Sequence, residues 1–127
     1  MEKYYSEPLL ENELKFDFLC VTLSDYIMKA EELCYDFEGE ALNHRQEMLR
    51  DLAQEVARQI DELLPEIRNP RILNSASTCI NESTIGIVKL MGTQEIWDKI
   101  NLRLNELGYE PAFMCDDPIP KSLDTYH

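Results

Sequence analysis

Apolar residues at Phe16, Cys20, Leu23, Ile27, Ala30, Cys34 and Phe37 are separated by steps of 4, 3, 4, 3, 4 and 3. That rhythm returns every one of them to the same side of an α-helix, whereas a strand would need alternation with a period of two. A long amphipathic helix over Leu9–Phe37 is therefore the first element of the chain. A second set, Leu14, Phe18, Val21 and Met28 with Leu19 and Tyr26, makes its first half apolar on more than one side, which predicts a helix sandwiched between neighbours. Gly39, within Phe37-Glu38-Gly39-Glu40, is the expected break, because glycine enters the left-handed conformation that closes a helix.

A second helix is expected from about Leu42 to Leu64, with Leu49, Leu52, Val56, Ile60, Leu63 and Ile67 on one side and Pro65 ending it. So short a connection between two long helices makes them an antiparallel hairpin. Residues 71–91 admit two readings. The β-branched run Ser83–Leu90 suits a small β element. Ile80, Thr84, Ile87, Val88 and Met91 equally fit a short helix, and Asn81-Glu82 lacks the glycine of a tight hairpin turn. Beyond them, Thr93 as N-cap, Ile96, Ile100, Leu104 and Leu107 at helical spacing, and Gly108 as C-cap define a third helix. Pro111, Pro118 and Pro120 with Asp116 and Asp117 then predict an extended tail over about 109–127. The expectation is a single, mainly α, acidic domain spanning 1–127.

Charge narrows the partners. The chain carries 25 Asp plus Glu against 12 Lys plus Arg, a formal charge of −13. Residues 1–68 hold 17 of these acids and 7 of the bases, so the excess sits on the predicted hairpin. Nucleic acid and anionic membranes repel such a chain, and a basic protein surface attracts it. No apolar run approaches the roughly 20 residues of a membrane span, and the N-terminus lacks a basic stretch followed by an apolar one, so a cytoplasmic location is expected.

Catalytic signatures are missing. Cys20, Cys34, Cys79 and Cys115 include no C-x-x-C pair, and with only His44 and His127 available no zinc site is expected. Cys20 and Cys34 instead read as small buried hydrophobes. His44 reads as a surface or capping residue, and no serine, cysteine and histidine arrangement marks a nucleophile. Glycines form no phosphate-binding loop. Neither a cofactor nor a metal is expected.

Two further arrangements carry chemistry in other proteins. Glu31, Glu32 and Asp36 with Glu47, Asp51 and Glu55 could converge on magnesium from two antiparallel helices, and their spacing resembles the Glu-Glu-x-x-Glu and Glu-x-x-Asp pattern of all-helical nucleotide pyrophosphatases. Tyr35 occupies the third acidic position, however, and no Glu-x-x-Asp follows on helix two. A helix-turn-helix over Ser83–Leu107 is opposed by charge, since only Lys89, Lys99 and Arg103 face Glu95, Asp98, Glu106 and Glu110. Trp97, Tyr4, Tyr5, Tyr109 and Phe113 read as core or rim packing.

The sequence thus points to a non-enzymatic binding module. Its acidic face would include Asp36, Glu38, Glu40, Glu47, Asp51, Glu55 and Glu62, and its partner would be a basic protein surface such as the nucleic-acid groove of a nuclease. In size and charge the chain looks like phage-encoded inhibitors of host defence and bacterial immunity proteins. The alternatives are an all-helical magnesium-dependent nucleotide hydrolase and a self-assembling module in which surplus apolar residues of helix one pair with another copy.

Overall fold

The computed structural model describes residues 9–81, 85–112 and 117–121. Tyr4, Tyr5, Ser83, Thr84, Phe113, Cys115, Asp116 and His127 lie outside the described residues. Two long helices, α1 (Glu11–Asp36) and α2 (Gly39–Leu63), form the antiparallel hairpin expected from the apolar rhythm. A single 3-10 turn, Leu64–Glu66, follows α2. Next come α3 (Pro70–Asn81), α4 (Ile85–Leu90) and α5 (Gln94–Glu106), and the chain closes on an antiparallel pair, β1 (Tyr109–Glu110) with β2 (Ile119–Pro120). Residues 71–81 and 85–90 are thus helical, Met91 lies in the turn before α5, and the small β element sits in the tail instead.

Each boundary has a local cause. The Glu13 carboxylate accepts the Leu10 N–H at 2.9 Å and satisfies a donor that the first turn of α1 leaves free. Phe37 and Glu38 are extended, and Gly39 turns the chain at a φ of +61°, a conformation that costs a residue bearing a Cβ about 1 kcal/mol or more. Helix α2 starts at that glycine, three residues before the expected Leu42. Pro65 ends α2, and the Asn69 side chain accepts the Arg71 N–H at 3.0 Å to open α3.

One core joins α1 to α5. Phe16, Leu23 and Ile27 of α1 meet Ile60 of α2, Ile72, Leu73 and Ile80 of α3, Val88 of α4, and Ile100 and Leu104 of α5. Three expectations about packing change. Cys34 is exposed and not core, because it lies where the hairpin runs out of neighbours near its tip; its Sγ accepts from Gln46 Nε2 at 3.3 Å. Leu52 is exposed, and Ala53 takes its place in the α2 seam. The second apolar set of α1 is not sandwiched: Leu14, Phe18, Val21 and Met28 all face outward.

Buried polar groups lock the C-terminal half onto α3. Asn74 is fully buried, its Nδ2 donating to the Ala112 carbonyl at 3.1 Å and its Oδ1 accepting the Ala112 N–H at 2.7 Å. One side chain thereby imitates a strand neighbour and fixes the entry to the tail. Trp97 Nε1 donates to the Ser77 carbonyl at 3.0 Å, a packing role in keeping with its position on α5. Thr93 precedes α5 as expected, yet its hydroxyl donates to the Val88 carbonyl at 2.9 Å and ties α5 to α4 rather than capping α5.

Candidate binding surface

The buried residues of α2, Gln46, Ala53, Val56 and Ile60, define its inner side. At about 100° per residue, Glu40, Glu47, Asp51, Glu55 and Glu62 fall within roughly 80° of one another on the opposite side. All five are exposed. From Glu40 to Glu62 the stripe runs about 33 Å at 1.5 Å per residue. Asp36 and Glu38, exposed at the hairpin tip, continue it beyond the N-terminus of α2. The acids singled out on α2 therefore share one face along its length, and Asp36 and Glu38 extend it at the hairpin tip.

Their environments differ. Arg58 lies within the stripe, donating to Glu55 at 2.6 and 3.1 Å and pairing with Glu62 on the other side. Hydrogen bonds from Arg58 and then Gln59 hold the Glu55 carboxylate down to about 2, and the same pairing raises Arg58. Glu55 and Glu62 are consequently committed within the chain. Glu40, Glu47 and Asp51 have no cation in salt-bridge range among the described residues. Like charges four residues apart, as in Glu47 with Asp51, each cost a helix about 0.2–0.5 kcal/mol.

A hollow of about 200 Å³ adjoins this end of the stripe, bounded by Asn43, Gln46, Glu47, Arg50 and Leu90. A second one, about 160 Å³, lies between α2 and α5 and is lined by Arg58, Asp61, Glu95 and Lys99 among others. Its charges are paired: Arg58 with Glu55 and Glu62, and Lys99 with Asp61 and Glu95. Lys99 Nζ sits 3.3 Å from both Asp61 and Glu95, and those hydrogen bonds, that of Asp61 first, raise its pKa.

Of the acids considered for magnesium, Glu31 is half-buried. Glu32, Asp36, Glu47, Asp51 and Glu55 are exposed, and among the described residues no group of three His, Cys, Asp or Glu is arranged to hold a metal ion. The cations of α5 are engaged as well. Arg103 donates to the Ile67 and Pro65 carbonyls, both at 3.1 Å, so its guanidinium closes the end of the hairpin. His44 lies exposed on the acidic side of α2.

Sequence reasoning missed the Asn74 clamp and the Arg103 cap, which depend on partners 38 and 36 residues away. It also missed Gln46, a buried residue of α2 whose Nε2 donates to the Ala30 carbonyl at 3.1 Å and bridges the hairpin. Among the described residues no helix is long and apolar enough to cross a membrane. No family model, no curated protein and no solved structure matches the chain.

Proposed function

We propose that the protein is a non-enzymatic binding module that docks the acidic face of α2 and the hairpin tip on a basic surface of another protein. The observation that carries this reading is the stripe of five exposed carboxylates opposite the buried side of α2, three of them with no cation in salt-bridge range among the described residues. Glu47 and Asp51, four residues apart, repel each other along the helix, and pairing within α2 does not offset that repulsion as it does for Glu55 and Glu62. A cationic partner turns the same repulsion into binding energy and speeds encounter by steering.

The partner fits the description of a groove that normally holds nucleic acid, as in a nuclease, and the module acts as its inhibitor. Imitation of a phosphate ladder is not required. Duplex DNA carries one negative charge per about 1.7 Å of axis, whereas the α2 stripe carries one per roughly 7 Å. The stripe is suited to neutralising a few clustered arginines or lysines and blocking access to them.

The test compares two baits immobilised side by side, the wild-type protein and Glu47→Lys/Asp51→Lys, exposed to the same cell extract at low salt. The expected result is a basic protein retained in stoichiometric amount on the wild type, released by salt and lost from the variant. Equal retention on both baits contradicts the reading. Relief of repulsion should leave the variant folded with an unchanged or higher melting temperature.

A further inference from the structure

Six apolar side chains on the outer side of α1 and its entry remain outside the core: Leu10, Leu14, Phe18, Val21, Met28 and Tyr35, each between 44% and 83% exposed. Leu14, Val21, Met28 and Tyr35 recur every seven residues, and Phe18 lies between the first two. A seven-residue repeat drifts slowly around a straight helix, the property that lets two helices wind about each other along a common seam. From Leu14 to Tyr35 the stripe is about 31 Å long. It presents on the order of 600 Å² per copy, close to the roughly 800 Å² that each partner contributes to a standard specific interface.

We propose that this stripe is covered by the same stripe of a second copy, giving an antiparallel α1–α1 homodimer. Charge selects the direction. Asp25 and Glu32 occupy the remaining seam positions. In a parallel pair each would stack on its own counterpart, and Glu31 would lie alongside Asp36 of the second copy. In an antiparallel pair crossing at the level of residues 26 and 27, Phe18 meets Tyr35 of the second copy and Lys15 comes alongside its Asp36. Twofold symmetry makes each contact twice. The interface takes Asp36 from the hairpin tip but leaves Glu40, Glu47 and Asp51 of α2 to another partner, and neither proposal depends on the other.

The experiment is sedimentation equilibrium on the full chain at 0.15 M salt across roughly 1–500 µM, a range that brackets micromolar dimers. The mass should rise from 14.9 kDa towards twice that value. Phe18→Ser/Met28→Ser should stay monomeric with an unchanged circular dichroism spectrum, because both side chains are already exposed in the monomer. Asp25→Leu should tighten the dimer about tenfold or more by removing a polar group from the seam. Lys15→Glu should loosen it about fivefold, and adding Asp36→Lys should restore it. Raising salt should strengthen this dimer of like-charged copies while it weakens docking of a basic partner, so the two proposals fail separately. A monomer at every concentration in both the wild type and Asp25→Leu overturns the proposal, as does a dimer indifferent to Phe18→Ser/Met28→Ser. If only removal of residues 1–8 releases dimerisation, the stripe's native occupant is the chain's own N-terminal segment, and the proposal is likewise overturned.

Discussion

Replacing Asn74 by alanine should detach the C-terminal segment from α3 without disturbing the hairpin. The side chain is fully buried and makes two hydrogen bonds, 3.1 and 2.7 Å, to the backbone of Ala112. A net contribution of about 1 kcal/mol for each bond gives about 2 kcal/mol, and leaving the Ala112 N–H and carbonyl without partners adds up to about 1–3 kcal/mol where water cannot reach them. Ala112 is half-buried, so water recovers part of that penalty. The expected loss is about 2–3 kcal/mol, a large share of the 5–15 kcal/mol that typically separates folded from unfolded chains. Urea unfolding followed by the fluorescence of Trp97 measures it, since that single tryptophan packs on the same helix through Ser77. Hydrogen exchange supplies the local signature: protection should fall at Ala112 and along the β1–β2 pair, and persist in α1 and α2. Asn74→Asp keeps the acceptor but loses the donor and buries a charge, so it should be no better than alanine. A loss below about 0.5 kcal/mol with unchanged exchange at Ala112 would refute the clamp, because it lies within the range of an inconsequential surface substitution.

Arg103→Met should cost about 2–3 kcal/mol in the same urea assay, because a mostly buried guanidinium donates to two carbonyls at the end of the hairpin, and lysine, lacking the fork, should not restore it. Burial raises the Asp17 carboxyl above its ordinary value. The folded state therefore binds that proton more readily than the unfolded state, and stability is lost as pH rises from the ordinary carboxylate range through the raised pKa. Asp17→Asn should accordingly raise the urea midpoint at pH 7 and leave it unchanged at pH 3; an equal gain at both values would contradict the assignment. Exposed Cys34 should react with a thiol reagent in the folded protein and Cys20 only on unfolding, so Cys34→Ser should remove a fast labelling phase without changing stability.

Periodicity tells which residues share a side of a helix, and for α1 and α2 that was enough to specify the hairpin. It does not tell whether another element covers that side. Leu14, Phe18, Val21 and Met28 form a stripe as regular as the buried one, and only the positions of α2 and α3 decide which stripe goes inward. Cys34 continues the inner rhythm yet is exposed, because the seam outlasts its partners near the hairpin tip. In residues 71–91 the β-branched run is compatible with either secondary structure, and the helix prevails through burial of Ile72, Leu73, Ile80 and Val88 against α1 and α5. The acidic stripe was legible because spacings of four and seven are local. The commitment of Glu55 and Glu62 to Arg58 obeys the same rule of three and four residues and could have been read from sequence. The contacts made by Asn74 and Arg103 could not, since each depends on how distant elements pack.

We propose that Glu40, Glu47 and Asp51, which have no cation in salt-bridge range among the described residues, drive docking on a basic surface. The most direct test is the association rate between this protein and the partner it captures, measured from low to high ionic strength for the wild type and for Glu47→Lys/Asp51→Lys. Steering by those carboxylates predicts a wild-type rate that falls steeply as the Debye length shrinks from about 30 Å at 0.01 M to about 3 Å at 1 M, and a slower, flatter profile for the variant. Identical profiles for the two proteins, or a wild-type rate indifferent to salt, would contradict it.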